Sequence, residues 1–285
     1  GLDAGAEVVY FLAEDAEEVE ITFMDSDMEV VQSFLGQPRD AAEEDDEEEE
    51  GSSFAARQTR RPSPSLRDGV NRFRWNMRLD GYTDFEGRIF WAAGNQGPAI
   101  VPGEYKVRLA VDGEVVGTSS FELLLDPRIE GVTQADLQAR FDLAVKIRDR
   151  TSDANEAVIL IREIKAQLDD RLSESEDSDF HRSAEAFRNA ISAVEGEIYQ
   201  VKNQSNQDPL NFPIKLNNPL AALLGVVEGS ENRPTEQSHT VFEYLDGLLG
   251  AQMETLHDLL QDDLQALNGR LEGLGLDPIE VESGH

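Results

Sequence analysis

The stretch FELLLDPRIEGVTQADLQARFDLAVKIRDRTSDANEAVILIREI, residues 121–164, changes its hydrophobic period halfway along. Phe121, Leu123 and Leu125 occupy alternate positions, the pattern of a strand with one buried face. From Thr133 the spacing turns helical: Leu143, Ile147, Ala154, Val158, Ile161, Ile164 and Leu168 make one stripe. Thr133 or Asp136 is placed to cap that helix. LDPRIEG, 125–131, is then a junction, and the chain divides into a β part over 1–126 and an α part over 133–282.

Upstream of the junction the period stays at two. Val19, Ile21 and Phe23 alternate with Glu20 and Thr22, and Phe73, Trp75, Met77 and Leu79 alternate with Arg72, Arg74, Asn76 and Arg78. Tyr105, Val107, Leu109 and Val111 form a third such run, and Val8–Leu12 and Glu29–Leu35 supply two more strands. Asp112-Gly113 marks a hairpin, because Gly accepts the positive φ of a tight turn. Six or seven short antiparallel strands predict an immunoglobulin- or fibronectin-III-like β-sandwich. An acidic insert interrupts it at about 38–67; its low hydrophobicity and like charges predict disorder. Arg57, Arg60, Arg61 and Arg67 follow the acids, either neutralising them or forming a partner-binding loop.

Downstream, SESEDSD breaks the first helix. Phe180, Ala184, Phe187, Ile191, Val194, Ile198 and Val201 then follow a coiled-coil-like spacing. An amide-rich loop, 203–219, leads to LAALLGVV and a stop at Gly229. Pro234 is assigned to the first turn of a last helix carrying Val241, Leu245, Leu249, Met253, Leu256, Leu260, Leu264, Leu267 and Leu271. Three to four amphipathic helices with short connections predict an antiparallel bundle.

The formal charge of −33 is spread over the whole chain, although Asp40–Glu50 alone holds nine acids. That field repels nucleic acid and anionic membranes. Only five residues are lysine. Adaptation to high salt and GC-rich coding both fit, and both stay open. No apolar run reaches the length of a membrane helix, so no membrane insertion is expected. The N-terminus does not read as a signal peptide. With no cysteine, disulfides and thiol chemistry are excluded.

No metal, cofactor or catalytic site is expected. The four histidines show no ligand spacing, and Asp25-Ser26-Asp27 lacks the glycine and distal glutamate of a calcium loop. Two groups of residues are candidates. Tyr82, Phe85, Phe90 and Trp91 lie in a Gly-rich connection, where aromatic rings can stack on a ligand or fold over the sandwich. Arg148 and Asn155 fall on the packing face of an otherwise apolar helix and need polar partners, which Asn203, Gln204 and Asn206 of the amide-rich loop can supply. The same loop is expected to pack on the bundle through Phe212 and Leu216.

Four segments carry a resemblance over nearly the whole chain: GVNRFRWNMR (69–78), VPGEYKVRL (101–109), IRDRTSDANEAV (147–158) and KNQSNQDPLNFPIKLNN (202–218). Together they resemble the C-terminal region of secreted bacterial proteins whose N-terminal part is a sortilin/VPS10-like, BNR-repeat β-propeller, often described as glycosyl-hydrolase-like. The acidic run at 40–50 departs from that pattern. The resemblance implies a secreted or envelope-associated multidomain protein. It implies that hydrolase chemistry would belong to the propeller, and that this chain is a non-catalytic accessory module with the propeller as its partner. A stand-alone adhesion module for a glycan or a protein is the alternative, and an enzyme with an unrecognised site is a third. The accessory reading expects an exposed apolar patch, the adhesion reading an aromatic groove in 82–100, and the enzyme reading a deep pocket with shifted acids.

Overall fold

The computed structural model describes residues 5–38 and 62–281. Among the described residues, six strands precede five α-helices. The strands are β1 (Ala6–Leu12), β2 (Val19–Met24), β3 (Val30–Gly36), β4 (Gly69–Trp75), β5 (Gly103–Val111) and β6 (Glu114–Leu123). The helices are α1 (Gln134–Glu174), α2 (Ser178–Ile198), α3 (Asn217–Glu228), α4 (Glu236–Asp258) and α5 (Leu264–Leu274). The chain forms two compact units: Gly1–Asp80 with Asn95–Phe141, and Gly81–Gly94 with Asp142–His285. This division differs from the expected one in two places. Residues 81–94 leave the β part for the helical unit, and the first turns of α1 stay with the β unit.

In the β unit, β1 pairs with β4, and β3-β2-β5-β6 form a second antiparallel sheet. Alternation decides which side chains go inward. Tyr10, Leu12, Phe73 and Trp75 are buried from the first sheet, and Val19, Ile21, Phe23 and Phe34 from the second. Phe23 stacks on Trp75 at 4.3 Å and Phe34 meets Phe73 at 4.8 Å, so both sheets contribute to one core. Asp112 (φ 49°) and Gly113 (φ 80°) make the predicted tight turn between β5 and β6. The Asp112 carboxylate also accepts the backbone N–H groups of Glu17 and Glu18. Gly97 permits a close approach: a Cβ there would collide with the carbonyls of Leu79 and Asp80. Two expectations are corrected. The strand run 73–79 stops at Trp75, because Met77 takes φ 59° and turns the chain. Residues 62–67 are placed against the sheet: Pro64 is buried, Ser65 accepts a bond from the Tyr10 hydroxyl at 2.7 Å, and Leu66 joins the core. The rest of the predicted insert, with Arg57, Arg60 and Arg61, lies outside the described residues.

In the helical unit, α1 and α2 form an antiparallel hairpin. Arg188 of α2 pairs with Asp169, whereas Glu195, further along α2, meets Lys165 and Arg162, further back on α1. Asp177 caps α2 by accepting Phe180 N–H at 2.7 Å. Phe180, Ala184, Phe187, Ile191, Val194 and Ile198 are all buried against Val158, Ile161, Ile164 and Leu168. The seam ends at Ile198; the chain turns extended at Tyr199, and Val201 is exposed. The α4–α5 rod runs in the same direction as α1, since Arg150 pairs with Asp246 at one end and Arg171 bonds the Asp277 carbonyl beyond the other. Its apolar spacing includes successive steps of four, at Leu256, Leu260 and Leu264, which a regular helix would carry away from the core. A π-turn at Leu259–Asp263 takes up the extra residue and keeps Leu264, Leu267 and Leu271 buried. Thr235 caps α4, so Pro234 lies just outside the helix rather than in its first turn. Thr133 caps α1 within the β unit: its hydroxyl accepts Asp136 N–H, and the Asp136 carboxylate accepts Thr133 N–H at 3.0 Å.

Candidate functional site

The segment 81–94 has no regular secondary structure, and it is held to the helical unit by polar bonds as well as by the packing of Tyr82, Phe85 and Phe90. One turn of α1 grips a single residue. Thr83 N–H donates to Ser152 Oγ at 2.9 Å, its hydroxyl donates to Glu156 at 2.7 Å, and its carbonyl accepts from Asn155 Nδ2 at 2.7 Å. These three residues share one face of α1, as spacings of three and four require. Asn155 is fully buried, and its remaining oxygen accepts from Asn217 Nδ2 at 2.9 Å. The neighbouring Asn218 acts like a strand segment. Its Oδ1 accepts Trp91 N–H at 2.7 Å, and its Nδ2 donates to the Trp91 carbonyl at 2.9 Å.

Tyr199 does similar work with one hydroxyl, which accepts Ile89 N–H and donates to the Gly87 carbonyl, both at 3.1 Å. Arg162 lies over the rings of Phe85 (4.8 Å) and Tyr199 (5.4 Å) and pairs with Glu195 at 3.0 Å. Within the segment, Arg88 pairs with Asp84 and lies over Phe90 at 4.4 Å. The Tyr82 hydroxyl donates to the Gly94 carbonyl at 2.9 Å and ties the two ends together. Burial pushes that phenol up to about 12; the Arg88 charge opposes the shift and the Asp84 charge adds to it.

The four aromatic candidates therefore separate. Tyr82 is buried, and Phe85 and Phe90 are partly buried against the helical core. Trp91 alone faces outward, 45% exposed, with its backbone clamped by Asn218 and followed by Ala92 at φ 51°.

The polar seam also separates. Arg148 bonds only to its neighbour Asp149 in this region, whereas Asn155 is the centre of the network. Asn203 reaches the Ile89 carbonyl at 3.4 Å. Gln204 and Asn206 are exposed. Their turn is built by Asp208, whose carboxylate accepts the backbone N–H groups of Gln204 and Ser205; these bonds hold it below its ordinary pKa. Leu216 packs on the core, and Phe212 is only half-buried, with Lys202 over its ring at 5.8 Å. Ser152 stands with Arg148 and Asn155 among the polar residues that interrupt the apolar helix, whereas no motif in the sequence points to Asn217, Asn218 or Tyr199. The only signal for two of them is an Asn-Asn pair opening the apolar run of α3.

The β unit carries a separate open cleft of about 490 Å³, lined by Ser26, Glu104, Tyr105, Lys106, Ser120, Phe121 and Glu122. Glu104 and Glu122 stand directly opposite each other across β5 and β6. The nearby Asp25 carboxylate accepts Asp27 N–H and Glu29 N–H, which makes 25–29 a self-capped turn. Among the described residues no group of three or more His, Asp or Glu is arranged to hold a metal, and no helix is long and apolar enough to cross a membrane. His181 bonds the Ser175 carbonyl and sits edge-on to Phe180. No protein-family model, curated protein or solved structure matches this chain.

Proposed function

We propose that this chain is a non-catalytic accessory module of a larger secreted or envelope-associated protein, supporting a sortilin/VPS10-like β-propeller that precedes it. The observation that carries the reading is the outer face of the β1–β4 sheet. Val9, Phe11 and Val70 are 56%, 68% and 70% exposed, and Phe11 stands directly opposite Val70. Contiguous exposed apolar side chains on a sheet face mark a contact surface. This one is built on the first strand, next to where a preceding domain would join. We read the two sheets as an immunoglobulin- or fibronectin-III-like sandwich; the ring contacts Phe23–Trp75 and Phe34–Phe73, each crossing from one sheet to the other, support that assignment. The test is to produce the chain together with the polypeptide encoded upstream in the same reading frame, and to compare amide exchange with the chain alone. Slower exchange at 6–12 and 69–75 only in the longer protein is expected. An upstream frame without a propeller, or unchanged exchange at those strands, overturns the reading.

The clamped Trp91 favours a second reading, a binding module for a glycan or protein acting on its own. An outward indole on a fixed backbone loses little entropy on binding. The chain has only two tryptophans, and Trp75 is fully buried. A glycan or peptide that shifts the emission of Trp91, with the response lost in Trp91→Phe, would favour this reading.

A further inference from the structure

Helix α4 has two apolar faces. Leu245, Leu249 and Leu256 are buried in the core of the helical unit. Val241, Tyr244 and Leu248 point away from it, 44%, 66% and 40% exposed, and exposed Ala251 and Thr255 continue the row. Their spacing of three, four, three and four is the repeat of a helix that packs along another helix. Gly247 lies beside this row, and a Cβ added there would meet nothing within 4 Å. A glycine inside a helix costs about 1 kcal/mol relative to alanine. No neighbour among the described residues requires it, but a closely approaching helix backbone would.

The border of the row is acidic on α4 itself, with Arg150 of α1 paired to Asp246 beyond it. Glu236, Glu243 and Glu254 are seven and eleven residues apart, so they share one side of the helix. Residues 236–258 contain no lysine or arginine. A second copy of α4 would bring these carboxylates against their own kind, whereas a cationic helix would meet them with opposite charge. We infer that α4 is a docking face for a basic amphipathic helix of a partner protein, with apolar anchors over Val241, Tyr244 and Leu248 and Lys or Arg against Glu236, Glu243 and Glu254. This surface is independent of whatever covers the β1–β4 sheet.

The test uses two fluorescent peptides on the intact chain. One has about three heptads with Leu at the a and d positions and Lys elsewhere; the other has the same composition with the Leu positions scrambled. The heptad peptide is expected to bind at least about ten-fold more tightly at physiological salt. Tyr244→Ser with Leu248→Ser should remove that preference without changing the charge. Glu243→Gln with Glu254→Gln should weaken binding and flatten its salt dependence. Circular dichroism of each variant should match the parent, since all four side chains are exposed. Equal binding of both peptides, or indifference to the Ser substitutions, overturns the proposal. So does concentration-dependent self-association by sedimentation that the Ser substitutions abolish, because the face would then belong to a second copy.

Discussion

The side-chain amide of Asn217 donates to the side-chain oxygen of Asn155 at 2.9 Å, and both residues are wholly enclosed. Through the other end of Asn155, this pair links α3 to α1 and to the carbonyl of Thr83. A buried amide that loses its partner keeps its desolvation cost without the compensating bond. Asn155→Ala strands both Thr83 and Asn217 and should cost about 2–3 kcal/mol. At about 2–4 °C per kcal/mol for a unit of this size, thermal unfolding of the helical unit should fall by about 4–12 °C.

Phe212 and Leu220 make a matched comparison. Phe212 is half-buried under Lys202, while Leu220 is fully buried in the helical core. Leu220→Ala should cost about 2–5 kcal/mol, from lost transfer energy plus the cavity left behind. Phe212→Ala should cost under about 1.5 kcal/mol, since half-exposed apolar surface has less to lose. Chemical denaturation of the two variants would show the order, and a larger loss at Phe212 would mean the 203–216 loop packs more tightly than its exposure indicates.

Tyr82 sets a pH limit. Its phenol is raised to about 12 in the folded chain, chiefly by burial. The unfolded chain ionises near the ordinary value of about 10. Below that value neither state loses the proton, so the full stability is present. Between the two values the unfolded state has released the proton and the folded state has not, so stability falls as pH rises. Burial also raises Tyr10 and Tyr105, so ultraviolet titration should show several late-ionising tyrosines, the latest of them missing in Tyr82→Phe. The alkaline fall in stability of the helical unit should also become shallower in that variant.

Glu104 and Glu122 face each other across the β5–β6 ladder with exposed side chains. Directly opposed like charges destabilise a sheet, and an opposed ion pair contributes about 0.2–1 kcal/mol. Glu122→Lys should therefore raise the melting point of the β unit. Sodium chloride should stabilise the parent more than this variant, because ions screen the repulsion over about 10 Å at 0.1 M. A parent whose melting point stays flat from low to molar salt would also remove the salt-adaptation reading of the −33 charge.

Burial on one side was the legible part of the fold. Phe73 and Trp75 went inward with arginines outward because a strand has only two faces, and the α2 seam was readable because six buried positions repeat regularly. Chain reversals were less legible. Nothing in the Met77 side chain announces φ 59°, and Val201 fits the heptad even though the helix has ended. At the site, period placed Asn155 on a packing face, but it could not identify the segment that reaches it. Aromatic residues in a loop look the same whether they cover strands or helices, so the attachment of Phe85 and Phe90 to the helical core had no local signal.

The π-turn at Leu259–Asp263 has a consequence for how the α4–α5 rod can change. Each residue of an α-helix advances the side-chain direction by about 100°. Deleting one residue from this turn would let the rod close as plain α-helix with Leu264, Leu267 and Leu271 still facing the core, because the step from Leu260 to Leu264 would shorten from four to three. A chain one residue shorter here could fill the same space with the same leucines, whereas an α-helix that kept every residue could not. The turn acts as a vernier, setting the direction of α5's side chains separately from the length of the rod.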